Sequence, residues 1–345
     1  MSKMPGLRSD SRRVSGKRGL RVMFSCIGRG VELVRAFQRA GDALGIRLEI
    51  HGADRSRLAP AIHRVRHAHF VPSVRDDDYV DALLEIARRR RIDLLIPLID
   101  FELAVLADAR QRFEQIGCRL LISSPEVVAT CRDKLATYAS LRTAGIDTPN
   151  TWAFAEIVNR KRHRFPYFMK PREGSAGMGN YIVHDREELT TFGRRVPEPI
   201  VQEFVEGAEH TLDVYTGLDG KPRCVVPRKR LEVRTGEVSK GLIVKDPRIM
   251  AVGGAVAEML ADCRGVITVQ CIVDKARRIR VIEINPRFGG GVPLAIHAGA
   301  NFPKWILMES LGRRPRINPT GFRDDVAMLR FDESVFVRNA SALGS

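Results

Sequence analysis

"GVITVQCIVDKARRIRVIEINPR", residues 265–287, decides how this chain folds. Two apolar runs, 265–274 and 279–285, flank the charged segment "KARR", which is a hairpin pattern. Side chains on a strand alternate between faces, so Glu283 and Asn285 share one face while Ile282 and Ile284 point to the other. With the turn at 275–278, Gln270 falls directly across from Glu283. A carboxylate and two carboxamides then converge, an oxygen donor set suited to Mg²⁺ or Mn²⁺. The bland alternative is the solvated face of an antiparallel ribbon.

A second stretch, "KPREGSAGMGN" (170–180), lies between the apolar runs "FPYFM" and "YIVHD". A glycine-rich loop between strands can fold its backbone N–H groups over phosphates, and Lys170 at its root supplies a point charge. The P-loop order is absent, because this lysine precedes the glycines. Standing alone, the loop would read as a flexible hairpin.

The first third of the chain alternates between strand and helix. "LRVMFS" (20–25), "RLEIHGAD" (47–54), "IDLLIPLI" (92–99) and "RLLIS" (119–123) read as strands. Amphipathic helices lie between them, among them "DDDYVDALLEIARRRR" (76–91) and "FELAVLADARQRFEQIG" (101–117). That alternation predicts a doubly wound parallel sheet over residues 20–128. "CIGRG" after the first strand lacks the third glycine of a dinucleotide fingerprint, since position 33 is Leu33. Beyond Pro149 short strands dominate, which predicts an α+β section; the helix expected at its end runs continuously through "PLAIHAGANFPKWILMESLG" (293–312).

Composition sets outer bounds. The chain has 345 residues, enough for two or three compact units. No apolar run approaches the ~20 residues of a membrane helix, and no secretory h-region is seen, so a cytoplasmic, non-membrane protein is expected. Six scattered cysteines without a CxxC pair argue against zinc fingers and disulfides, and Cys26 reads as a buried thiol. Fifty-seven Lys and Arg against 41 Asp and Glu give a net charge of +16, which favours anionic partners without naming one. Residues 1–19 read as a disordered basic tail.

Four motifs in order, "RDKLATYASLRTAGIDTP", "FMKPREGSAGMGN", "VQEFVEGAEHTLDVY" and "VIEINPRFGGGVPLAIHAGAN", resemble the ATP-grasp superfamily. The likeness is to its carbamoyl-phosphate-synthase-like branch of carboxylate–amine ligases. It implies an α/β pre-ATP-grasp domain with a doubly wound parallel sheet (20–128), followed by an α+β ATP-grasp fold. That fold divides into a small subdomain with the glycine-rich lid (129–205) and a large one with the metal site (206–345). The resemblance makes Lys134 and Lys170 phosphate-binding lysines, and Ser175, Gly177 and Gly179 part of the mobile loop over ATP. Gln202, Glu203, Phe204 and Val205 match the hinge whose backbone holds adenine, and Glu209 the acid on the ribose. Gln270, Glu283 and Asn285 match the metal ligands, and Arg287 a catalytic residue near the transferred phosphate. In "PRKRLEVRTGEVSKG" (227–241), Arg228, Lys229, Arg230 and Lys240 are candidates to face the triphosphate, Arg230 foremost. The glycines 289–291 suggest unusual backbone angles and, with Arg287 and the following helix start, a cradle for the substrate carboxylate. His297 reads as packed or exposed rather than catalytic.

Two positions depart from the pattern. Gln270 stands where many such ligases carry an acid, and Gly30 where a second arginine is frequent. The implied activity is ATP- and Mg²⁺-dependent amide formation through an acyl phosphate, from small-molecule carboxylate and amine substrates, in proteins that are commonly homodimers. One alternative is phosphorylation of bicarbonate or carbamate, disfavoured because one grasp unit is present where that synthase uses two. The other is a non-catalytic nucleotide- or nucleic-acid-binding module, which the charge supports but the low aromatic content does not.

Overall fold

A computed structural model describes residues 19–174 and 177–338. Five strands, β1 (Gly19–Ser25), β2 (Arg47–Asp54), β3 (His67–Phe70), β4 (Leu94–Pro97) and β5 (Arg119–Leu120), form a sheet in the order β3-β2-β1-β4-β5. Every pairing in it is parallel. Alternation assigns the two faces. Leu20, Val22, Phe24, Leu94 and Ile96 enter one core, while Met23 and Leu95 enter the other with helix 79–90. Both faces are therefore covered, as the doubly wound pattern requires.

The next four strands, β6 (Thr151–Ala153), β7 (Tyr167–Pro171), β8 (Tyr181–Val183) and β9 (Pro199–Glu203), make an antiparallel sheet ordered β6-β9-β7-β8. It owns a small separate core of Ile157, Tyr167, Met169, Val183, Leu189, Val196 and Val201. The last six strands are β10 (Gly207–Thr216), β11 (Pro222–Arg234), β12 (Glu237–Ile243), β13 (Gly265–Asp274), β14 (Ile279–Asn285) and β15 (Ala327–Leu329). They form a sheet ordered β14-β13-β10-β11-β12-β15, also antiparallel. One of its cores, with Ile249, Val256 and Ala257 of helix 247–259, holds Leu212, Val269 and Ile284. On its other side Tyr215, Val226, Phe288 and Trp305 join the same core as Leu20, Phe24 and Phe37. The parallel-sheet layer and the six-stranded sheet thus share one apolar interior, whereas the four-stranded sheet does not.

Several expectations need correction. Gly19, placed in the tail, is the first residue of β1, and residues 1–18 lie outside the described ones. The helix foreseen over 101–117 is two, Asp100–Asp108 and Arg110–Gln115. The helix foreseen over 293–312 breaks at Gly299, whose φ is 120°. Asn301 caps the second piece by accepting from Lys304 N at 3.1 Å, with Pro303 in its first turn, so "ANFP" carried a readable start signal. β3, "HAHF", was missed because alternating histidines carry little strand signal.

None of Gly289–Gly291 has a positive φ, so the run does not use the left-handed region that glycine opens. These glycines answer to space. A Cβ at Gly291 would lie 2.2 Å from Arg228 Nη1, and one at Gly289 2.8 Å from Thr268 Oγ1. Arg228 itself does not sit in solvent. It is 1% exposed and bidentate to the wholly buried Asp213, at 2.6 and 2.9 Å. Removing one partner leaves an uncompensated buried charge. Asp213→Ala should therefore destabilise by about 3–5 kcal/mol, read as the loss in urea unfolding free energy; a loss under about 1 kcal/mol would show that Arg228 finds water or another partner.

Candidate active site

The site is built on the β13–β14 hairpin. Gln270 stands opposite Glu283 in the ladder, and Thr268 opposite Asn285. Between Gln270 and Cys271 the register shifts, because Cys271 pairs with Val281 and Ile282 is left as the extra residue of a bulge. The simple alternation expected here is therefore wrong by one residue. Val281 and Ile284 enter the core, whereas Ile282 is only partly buried and its carbonyl turns to another partner.

That partner is Lys170. Its Nζ, on β7 of the four-stranded sheet, donates to the Ile282 carbonyl at 3.2 Å. The residue is 4% exposed. Burial pushes its ammonium down to about 8; the Glu283 carboxylate opposes that shift, and Lys134 adds to it. Lys134 begins helix 134–143, which Asp133 caps through Leu135 N and Ala136 N. Its Nζ donates to the Gly174 carbonyl at 3.0 Å, at the root of the glycine loop. Burial holds the Lys134 ammonium below its usual range, opposed chiefly by Glu283 and Asp100. Gly177 and Gly179 have φ of 69° and 74°, the left-handed turn that glycine permits. Ser175 lies outside the described residues.

Around the hairpin the polar groups form one network. Asn285 Nδ2 donates to Glu283 Oε1 at 3.1 Å. With its amide turned so that oxygen meets donor, Gln270 accepts from Arg230 Nη1 at 2.5 Å and donates to Glu283 Oε2 at 3.3 Å. Arg230 Nη1 also meets Glu209 Oε1 at 2.5 Å. Arg230, Glu209, Gln270, Glu283 and Asn285 are thus contiguous. One full negative charge, Glu283, stands among the three oxygen-bearing groups of the hairpin, a set that fits a hard divalent ion sharing its remaining ligands with phosphates. Lys229 and Lys240 contribute nothing here: Lys229 is not part of this network, and Lys240 pairs with Glu232 at 2.7 Å on the exposed ribbon.

The segment 204–206, with Phe204 and Val205, joins β9 to β10 and so links the two antiparallel sheets. Side chains beside it are already engaged. Gln202 donates to Thr151 Oγ1 at 2.9 Å, and Glu203 accepts from Arg280 at 2.8 Å and from Asn150. The polar side chains of Gln202 and Glu203 are thus already paired, and the backbone of 204–205 and the partly exposed Phe204 and Val205 lie beside them.

Arg287 is held from the parallel-sheet layer. Its Nε and Nη2 donate to Asp100 at 3.0 and 2.6 Å, and Nη1 donates to the Phe288 carbonyl. Asp100 was not singled out from sequence. It follows β4, at the carboxyl ends of the parallel strands where ligands gather in such sheets, and that signal was available. From the same rim, Arg29 reaches Glu237 at 3.1 Å, and Glu237 lies against Gly290. Gly30 has no room for a side chain, since a Cβ would lie 2.9 Å from the Ile27 carbonyl. Cys26, half-buried rather than fully buried, meets the Tyr79 hydroxyl at 3.4 Å, and burial, with Glu102 adding, pushes its thiol above the ordinary range. His297 is exposed. A cavity of about 720 Å³ bounded by Asn301, Lys304, Trp305 and Phe322 shares none of these residues. No described helix is long and apolar enough to cross a membrane.

Residues 131–291 match the family model described as ATP-grasp domain, and residues 22–121 that of the PylC-like N-terminal domain. The 3-methyl-D-ornithine–L-lysine ligase of Methanosarcina acetivorans is 28% identical over 236 residues, 67% of this chain and 59% of the ligase. The chain therefore spans well under two thirds of that relative's length. Among solved structures, an L-amino acid ligase from Bacillus licheniformis superposes with a TM-score of 0.66 at 20% identity, covering 86% of this chain and 75% of its own. The biotin carboxylase domain of Hydrogenobacter thermophilus 2-oxoglutarate carboxylase, solved with MgADP and bicarbonate, gives 0.70 at 17%, covering 89% and 73%. At such identities these two show the fold.

The buried lysine generates a stability prediction. An ammonium whose folded-state value lies below its unfolded one opposes folding while it is charged in both states, here below about pH 8. The penalty fades as pH rises toward the ordinary lysine value of about 10.4. Lys170→Met should raise the stability of the ligand-free protein by about 2 kcal/mol at pH 7, with the gain shrinking by pH 10. Urea midpoints at both pH values check this, and an unchanged midpoint at pH 7 would mean that the ammonium is well solvated.

Proposed function

We propose, from the premise that this chain belongs to the ATP-grasp family, that it is an ATP-dependent carboxylate–amine ligase. One observation carries the reading: Lys170 of the four-stranded sheet donates to Ile282 of the six-stranded sheet, one residue from Glu283. A nucleotide between those sheets would meet a buried cation on one side and an oxygen donor set on the other. The division that goes with it is a pre-ATP-grasp domain at 20–128, a small subdomain at 129–205 and a large one from 206 onward.

In this proposal Lys170 and Lys134 neutralise the phosphates, and the glycine loop bearing Gly177 and Gly179 closes over them. The backbone of 203–205 holds adenine, and Glu209 the ribose, exchanging its bond to Arg230 for hydroxyl groups. Glu283, Asn285 and Gln270 would hold Mg²⁺, which supplies charge neutralisation when bound. A substrate carboxylate oxygen attacks the γ-phosphorus and ADP leaves. The amine nitrogen then attacks the carbonyl carbon of the acyl phosphate, and phosphate departs with the electron pair. Asp100 fixes the guanidinium plane of Arg287, which stabilises negative charge on the phosphoryl oxygens during transfer. Catalysis is positioning and charge, with no covalent enzyme intermediate.

Relatives that join amino acids support amino-acid substrates as the first to test. Arg29, Glu237 and the glycines 289–291, where the parallel-sheet rim meets the six-stranded sheet, are the region to select them.

Purified protein with ATP, Mg²⁺ and pairs of amino acids should release ADP and phosphate only when a suitable carboxylate is present. AMP and pyrophosphate would overturn the proposal, because they mark adenylation. Glu283→Gln should lower turnover roughly 10²-fold or more and raise the Mg²⁺ requirement, measured by phosphate release against metal concentration. Asp100→Asn should lower kcat with little change in the KM for ATP, since it loosens Arg287 without touching the nucleotide lysines; a pure KM effect would exclude the positioning role.

A further inference from the structure

Far from that network, the outer strands of the parallel sheet carry a group no part of the ligase reading uses. Glu49 and His51 are two apart on β2, and His67 and His69 two apart on β3, which is the sheet's edge. His51 lies directly across from His67, and Ala53 from His69. The pleat therefore places all four polar side chains on one face. Donor atoms of Glu49, His51 and His67 lie within 4.8 Å of one another, the one such His, Cys, Asp or Glu group found among the described residues.

His51 is the pivotal member. It is 2% exposed, its ring stacks on His67 at 4.5 Å, and its Nδ1 lies 3.0 Å from His69 Nε2. Its Nε2 has no hydrogen-bond partner. A buried ring nitrogen left unmet costs free energy in a packed protein. With the proton on Nδ1 donated to His69, Nε2 carries a bare lone pair. A metal-ligating histidine commonly has this form, with one nitrogen on the ion and the other held by an outer partner. We propose that Glu49, His51 through Nε2, and His67 form a binding site for a divalent transition-metal ion of the zinc class, with His69 fixing the His51 ring.

Two imidazoles and a carboxylate suit Zn²⁺ and its neighbours, and hard ions such as Mg²⁺ much less. Glu49 is now shared by Arg21 at 3.3 Å and Arg47 at 2.9 Å. Arg47 is 70% exposed and Arg21 42%, so these bonds are weak competitors. Arg89 and Arg90 lie near enough to His69 to act electrostatically against a dication. The bound ion would tie edge strand β3 to β2, to which it is now paired only through the short parallel ladder from His51–His67 to Asp54–Phe70.

The test is zinc binding to the chelator-treated full chain, in excess Mg²⁺ so that oxygen sites are taken, by calorimetry and by thermal unfolding with ZnCl₂ alone. Expected are one zinc per chain, a rise in Tm, and Co²⁺ d–d bands without thiolate charge transfer. Glu49→Gln and His67→Gln, both partly exposed, should abolish binding and the Tm rise while leaving ligase turnover unchanged. His69→Gln should weaken binding by about 10–100-fold. Absence of saturable binding, binding that survives Glu49→Gln and His67→Gln, or thiolate bands on Co²⁺ would each overturn the assignment.

Discussion

The contact between the Lys170 ammonium and the Ile282 carbonyl organises this molecule. It joins two sheets with separate cores through polar groups in the interior, beside the Arg280–Glu203 pair that links the same sheets. A buried ammonium is costly, and here the nearby Glu283 carboxylate offsets part of that cost without restoring an ordinary proton affinity. Ile282 is the extra residue of the bulge on edge strand β14, and its carbonyl meets the lysine of the four-stranded sheet rather than β13. A polyanion entering the cleft would replace a poor arrangement of charges by a good one. Binding and local electrostatic strain are in that sense the same feature seen from two sides.

The remaining architecture fixes which parts can move. The parallel sheet and the six-stranded sheet share one apolar core, so the Asp100–Arg287 pair that crosses between them sits on a rigid junction. The four-stranded sheet has a core of its own and is joined to the six-stranded sheet by the short segment 204–206. Elements that hold a phosphoryl acceptor need fixed geometry, and an element that admits nucleotide needs freedom. In the proposed ligase, the distribution of apolar contacts would divide those requirements between different layers.

Much of the fold was legible because each layer has its own periodicity. The near-continuous apolar runs of β1 and β4 announce strands buried on both faces, and alternation in 265–285 announces a hairpin with Gln270 opposite Glu283. What escaped follows from weak local signals. "HAHF" has histidines where a strand usually shows branched or aromatic residues, and the breaks at Ala109 and Gly299 lie inside patterns that a single helix also satisfies. Arg228 looked like its neighbour Arg230, since charge in a sequence does not say whether an acid waits inside. Asp213, fifteen residues earlier on the adjacent strand, decides that one is structural while the other meets Gln270 and Glu209.

By itself, the sequence determined the order of the layers, the polar face of the hairpin and the lysine beneath the glycine loop, because these follow from residue periodicity and local turn chemistry. Tertiary structure alone decided the partners: Asp100 for Arg287, Asp213 for Arg228, the Ile282 carbonyl for Lys170, and three histidines with a glutamate on one sheet edge. Those pairings reach 187 residues of separation, and even the close-spaced cross-strand ones, 15 apart for Asp213 with Arg228 and 16 for His51 with His67, already depend on strand pairing. The physical reason is that hydrogen bonds and ion pairs act over a few ångströms of space, and chain distance carries almost no information about which groups the folded backbone brings that close.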